Sequence, residues 1–215
     1  MDKKYTGYLD KYGMVTVNSV PREPYADNSE NGLLFTAQAM YALKQNDLPQ
    51  EFNFKQLFND CFIDGVLYRS AEPHPKPDSH DNYTAVALGS LFEKNTESPR
   101  KLLWSLIKHF GVVKGEIFLR FPQVWLLLIG AAFPILRWLL LPAMYILYMT
   151  VQPNQKNDGG DIQLKLTITA YLDILYPELN LFEKWKSNLC KHLYVYLEEY
   201  YGDHHPNSTI WREGK

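Results

Sequence analysis

Residues 121–151 read FPQVWLLLIGAAFPILRWLLLPAMYILYMTV, and the way this run divides decides the fold. A transmembrane helix needs about 20 predominantly apolar residues, and the run is long enough to raise that reading. Three prolines and one arginine argue against it. Pro122 and Pro134 stand where helices start, because proline lacks an N–H that the first turn leaves unused anyway. Pro142 kinks whatever helix contains it. The run therefore divides into one helix over 122–132 and another over 134–150, each shorter than a comfortable span. Arg137 would lie near the middle of any single span, at a cost of about 2.5–3.5 kcal/mol on insertion scales. The expectation is a pair of helices buried all round in the core of a water-soluble, all-helical body. A membrane hairpin over 122–150 is the alternative.

Downstream of the run, Gln152 to Gly160 is polar and glycine-bearing and reads as a loop. Ile162, Leu164, Leu166 and Ile168 then alternate as in a strand. Leu164, Ile168, Tyr171, Leu172 and Leu175 also satisfy helical spacing, and the longer pattern predicts a helix. Asn180-Leu181-Phe182-Glu183 reads as a capping box for a last helix. Its stripe is Trp185, Leu189, Leu193, Tyr196 or Leu197, and Tyr200, and Gly202 ends it.

Upstream, Ser98-Pro99 reads as a cap followed by proline, opening a helix that closes at Gly111. Asp81 to Phe92 reads as a helix capped by Ser79. Asn53 to Phe62 and Asn31 to Gln45 carry apolar residues at helical spacings. The segment before Asn28 places Tyr5 to Leu9 and Met14 to Val17 around Lys11-Tyr12-Gly13, which suggests a hairpin or an extended arm. The fold class that results is all-α, a single-domain irregular helical bundle or a partial α/α toroid. It divides into an N-terminal arm or hairpin over 1–28, a helical domain over 29–202 and a tail over 203–215.

With 215 residues the chain suits one well-buried core. Its aromatic share of 14%, including 15 Tyr and 5 Trp, is high, as large inter-helix contacts or a carbohydrate-facing surface would require. A net charge of −2 with scattered lysines and arginines gives no footprint for nucleic acid. Cys61 and Cys190 fall on apolar stripes and read as buried thiols in preference to a long-range disulfide. Met1 to Gly7 lacks the apolar centre of a secretory signal, which favours a cytoplasmic setting.

The polar counterpart of the apolar run is Tyr68-Arg69-Ser70-Ala71-Glu72-Pro73-His74-Pro75-Lys76-Pro77-Asp78-Ser79-His80-Asp81-Asn82-Tyr83. Three prolines stiffen it, and its end enters the first turn of a helix, where free N–H groups and the positive dipole end gather. With Asn31-Gly32-Leu33-Leu34-Phe35-Thr36-Ala37, Gly65-Val66-Leu67-Tyr68-Arg69-Ser70, Ser79-His80-Asp81-Asn82-Tyr83 and His205-Pro206 in this order, the chain resembles a family of small tailed-phage and prophage proteins. The resemblance implies an origin and an architecture, with other virion or assembly proteins as partners and the host-cell cytoplasm or the virion as location. It implies no activity. Asn82 stands where relatives would carry a second Asp, so two adjacent carboxylates are not supplied. The similarity to glycan-active α/α toroids is one of fold alone.

Three chemistries fit the segment. A glycan-directed hydrolase needs two carboxylates flanking a sugar, with aromatic rings for stacking. Asp81 and Glu30 are the best pair, with His80 as auxiliary acid or base, and Tyr68, Arg69, Asn82 and Tyr83 to hold the substrate. Against this, acidic residues in first turns ordinarily satisfy the helix dipole. His74, Asp78, His80 and Asp81, with His204 and His205 further off, are potential metal ligands, but their spacing matches no standard zinc or calcium loop, and no metal is expected. In the third reading Arg69 pairs with Asp81 or Glu72 as a latch, and the protein is a structural or binding component whose aromatic surface meets other subunits. Neither a nucleotide-binding glycine loop nor a nucleophile elbow is present, and no cofactor is expected. The structural or binding role leads, ahead of the glycan-directed one.

Overall fold

The structure, a computed structural model, describes residues 13–14, 32–45, 52–68, 80–113, 116–150 and 159–179. Seven α-helices lie among them: α1 (Gly32–Gln45), α2 (Phe54–Cys61), α3 (His80–Phe92), α4 (Glu97–Lys108), α5 (Pro122–Ala132), α6 (Arg137–Thr150) and α7 (Gly159–Leu175). Two short antiparallel strand pairs join them, β1 (Phe62–Ile63) with β2 (Val66–Leu67), and β3 (Val112–Val113) with β4 (Glu116–Ile117). The fold is an all-α irregular bundle. The N-terminal arm apart from Gly13 and Met14, the last helix over 180–202, the tail and Cys190 lie outside the described residues.

The apolar run breaks where its prolines require. Pro122 occupies the first turn of α5, at a position whose N–H has no helical partner. At the other end Phe133 is extended, with φ −134° and ψ 70°, and its N–H closes the last bond onto Ile129 O at 2.9 Å. Pro134 cannot donate the next one. A single 3₁₀ turn, Pro134–Leu136, follows, and the helical segment resumes at 112° to α5.

Arg137 sits at this bend and not in mid-span. Its guanidinium donates to Leu175 O at 3.0 Å and pairs with Glu178 at 3.1 Å, so the cation satisfies a carbonyl at the C-terminus of α7, where dipole and unpaired oxygens favour it. The Tyr176 hydroxyl donates back to Arg137 O.

The bend also overturns one expectation. In α5, Val124, Leu127, Leu128 and Gly130 to Ala132 are buried, packed chiefly on α3 and α4. In α6 the buried residues are Met144, Leu147 and Tyr148, whereas Ile135 in the turn before it is 90% exposed, Leu139 78% and Ile146 63%. The second helix is therefore not buried all round. Leaving α5 at so steep an angle, it reaches the body along one side, through α5 and α7.

At the centre lies α3, where every residue from Asn82 to Ser90 is buried and α1, α5 and α7 pack around it. Close approach on several sides needs small side chains, and Thr84, Ala85, Ala87, Gly89 and Ser90 provide them. A Cβ on Gly89 would stand 2.5 Å from the Phe54 ring. The Tyr171 hydroxyl donates to Leu127 O at 2.9 Å, tying α7 to α5.

Local detail departs from the sequence reading at several ends. Helix α4 begins at Glu97, not at Ser98, because the Asn95 side chain accepts from Glu97 N at 2.9 Å and Ser98 N at 3.4 Å. It ends at Lys108, and Gly111, at φ +69°, donates to Leu106 O at 2.7 Å beyond the last turn. The β1–β2 hairpin turns on Asp64 (φ +52°) and Gly65 (φ +80°), the Asp-Gly pair that two-residue hairpins favour. Glu93 accepts from Phe54 N and, at 2.8 Å, from Lys55 N, holding the start of α2 against the end of α3.

Two outcomes test this packing. Gly89→Ala gains about 1 kcal/mol of helix propensity, but forces the buried Phe54 ring aside at about 1–3 kcal/mol; urea unfolding should show a net loss. Lys165 is buried, with its ammonium donating to Tyr148 O and standing 3.6 Å from the Tyr148 ring centre. Burial lowers its pKa from 10.5 to about 8. Between those values the unfolded chain holds a proton that the folded chain has released, so this group makes stability rise with pH. Relative to Lys165→Met, the wild-type protein should gain stability from pH 7.5 to pH 9.5 in urea titrations.

Candidate functional site

His80 and Asp81 open α3 at the protein surface. Their side chains are 33% and 18% exposed, and His80 Nε2 lies 3.2 Å from Asp81 Oδ1. The imidazole stacks flat on Phe121, with ring centres 4.3 Å apart and planes 9° from parallel. Phe121 meets Phe118 edge-on at 6.5 Å, and Tyr83 packs on Phe118 at 4.2 Å. The ladder His80, Phe121, Phe118, Tyr83 thus pairs two residues three apart on α3 with two residues three apart around the entry to α5. Residues so spaced share a helical face. The Trp125 indole fixes the base of the ladder by donating to Phe118 O at 3.0 Å.

The next residue turns the opposite way. Asn82 is wholly buried, and its Oδ1 accepts from Leu34 N at 3.0 Å. Leu34 is in the first turn of α1, where backbone N–H groups lack helical partners. Asn82 caps α1 from a different helix.

The sequence-derived site residues therefore separate. His80 and Asp81 come together at the solvent edge. Asn82 and Tyr83, expected to hold a substrate, are buried: the helical turn carries Asn82 round to α1, and Tyr83, one turn deeper than His80 on the same face, packs on Phe118. Tyr68 is half-buried just after β2, with its N–H bonded to Cys61 O at 2.9 Å. Glu30, Arg69, Glu72, His74, Asp78, His204 and His205 lie outside the described residues. Among the described residues there is no group of three or more His, Cys, Asp or Glu placed to hold a metal ion.

The structure adds a surface that the sequence reading did not foresee. Leu139, Pro142, Ile146 and Met149 follow one another on α6 at steps of three, four and three, and all are exposed. Trp138 and Tyr145 flank them, also exposed. From Trp138 to Thr150 no residue is charged. A stripe with this spacing is what a second helix buries.

Comparison of the chain with protein-family models, with curated proteins and with solved structures finds no match.

Asn82→Ala should remove the cap on Leu34 N and cost about 1–3 kcal/mol in urea unfolding. His80→Ala, at the exposed end of the ladder, should cost less than Asn82→Ala in the same measurement.

Proposed function

We propose that the protein is a binding and assembly component without catalytic activity, of the tailed-phage type its motifs resemble, and that the apolar face of α6 is its working surface. The exposure of Leu139 and Ile146 on a helix with no charged residue beyond Arg137 carries this reading. Full burial of such a side chain is worth roughly 1.5–3 kcal/mol, and lone chains rarely expose large contiguous apolar patches. Aromatic and methionine side chains with charge excluded are the composition of an interface centre. The occupant that fits is a helix of another subunit, foremost a second copy of this chain, laid along the Leu139 to Met149 stripe.

The glycan-directed reading retains Asp81 and His80, with Glu30 as the proposed second carboxylate, but Asn82 and Tyr83 are committed to packing. A membrane reading has one observation in its favour. No single helix among the described residues is long and apolar enough to cross a membrane, yet α5 and the 134–150 segment reach that apolar length together, as a pair bent by 112°.

Sedimentation velocity on the purified chain should show concentration-dependent self-association, and Leu139→Glu with Ile146→Glu should abolish it without lowering the melting temperature. A wild-type chain that stays monomeric at about 100 μM, far above the Kd range of specific complexes, would remove the self-assembly reading. Flotation with lipid vesicles, lost in the same variant, would replace it with the membrane reading.

A further inference from the structure

A cleft of about 730 Å³ opens where α1, α3 and α7 end beside the Pro134 bend. That volume lies in the range of sites for small organic ligands. Ser90, fully buried, lines it, and its Oγ has no hydrogen-bond partner among the described residues. A buried hydroxyl left in that state costs free energy, and its enclosure keeps it out of the open volume of the cleft. Phe92, Pro134 and Ile174 give the cleft apolar walls, and the exposed Ile135 forms its outer lip.

Lys44 and Lys94 also line the cleft. Neither has a carboxylate partner among the described residues, and the Lys44 ammonium lies 5.7 Å from the Phe92 ring centre. The carboxylates near them are spent elsewhere: Glu93 on Phe54 N and Lys55 N, Asp173 on the Tyr41 hydroxyl at 3.1 Å, and Glu178 on Arg137. Cations at helix C-termini ordinarily offset the dipole. That role accounts for each lysine singly but not for the open, apolar-walled volume that the two of them border.

We infer that this cleft binds an amphipathic carboxylate, its head held by Lys44 and Lys94 and its apolar body lying along Phe92, Pro134 and Ile174 toward Ile135. The site is distinct from the α6 stripe and goes beyond the assembly role.

Calorimetric titration with sodium dodecanoate, kept below its micelle concentration, tests it. The wild-type chain should bind one equivalent. Lys44→Gln with Lys94→Gln should weaken binding at least tenfold. Both lysines are exposed, so the double variant folds. Leu139→Glu should bind as the wild type does, and dodecanamide, which lacks the charge, should bind at least tenfold more weakly. Absence of saturable binding would overturn the proposal, as would equal affinity in the lysine variant, loss in Leu139→Glu alone, or saturation by inorganic phosphate in place of dodecanoate. Flotation on phosphatidylglycerol vesicles that dodecanoate competes away would identify a lipid source for the ligand. Dodecanoate binding without flotation would identify a free acid, and both results uphold the site.

Discussion

Helix α3 has no wet side between Asn82 and Ser90, and the rest of the fold answers to that enclosure. A helix surrounded by α1, α5 and α7 tolerates only small residues at the closest approaches, which is why Gly89 lies under the Phe54 ring and Ala85 and Ala87 line the packed faces. Its polar side chains must find partners inside the protein. Asn82 does so by capping α1, so the same residue that begins α3 also fixes where its neighbour begins. The other end is less complete. The Ser90 hydroxyl is left unpartnered among the described residues, and a cleft opens beside it.

The second constraint is backbone chemistry at Pro134. Without an N–H at that position α5 cannot continue, and the 3₁₀ turn sends α6 away at 112°. The turn carries Arg137 to the end of α7, where its charge is paired and its N–H groups find a carbonyl. The same departure strips α6 of neighbours on its outer side, leaving Leu139 and Ile146 in solvent. The surface that supports an assembly role is thus a geometric consequence of one residue without a donor.

At the entrance of α3 the chemistry is modest. His80 is stacked on Phe121, and its Nε2 lies 3.2 Å from Asp81 Oδ1. The aromatic ladder behind them ties the start of α3 to the start of α5, which makes this corner a joint between helices as much as an exposed polar edge. Three features therefore divide the surface of the described residues: a polar corner at His80, an apolar stripe on α6, and a cationic cleft at the opposite end of α3.

The amino-acid sequence by itself determined where the apolar run breaks, because Pro122 and Pro134 act on the local backbone and need no distant partner, although the second helix, expected from 134, opens as a 3₁₀ turn and is α-helical only from Arg137. It determined in the same way that the segment after Gly160 is helical, since Leu164, Ile168, Tyr171 and Leu175 satisfy one period. The Asp64-Gly65 hairpin has a local signal of the same kind, an Asp-Gly pair between Phe62-Ile63 and Val66-Leu67. The outward side of α6 was not legible, because a helix apolar on every face carries no phase in its sequence to say which face is covered. Nor was the inward turn of Asn82, the stacking of His80 on Phe121, or the cleft lined by Ser90, Lys44 and Lys94. Each joins residues far apart in the chain, and only tertiary packing brings such residues into contact.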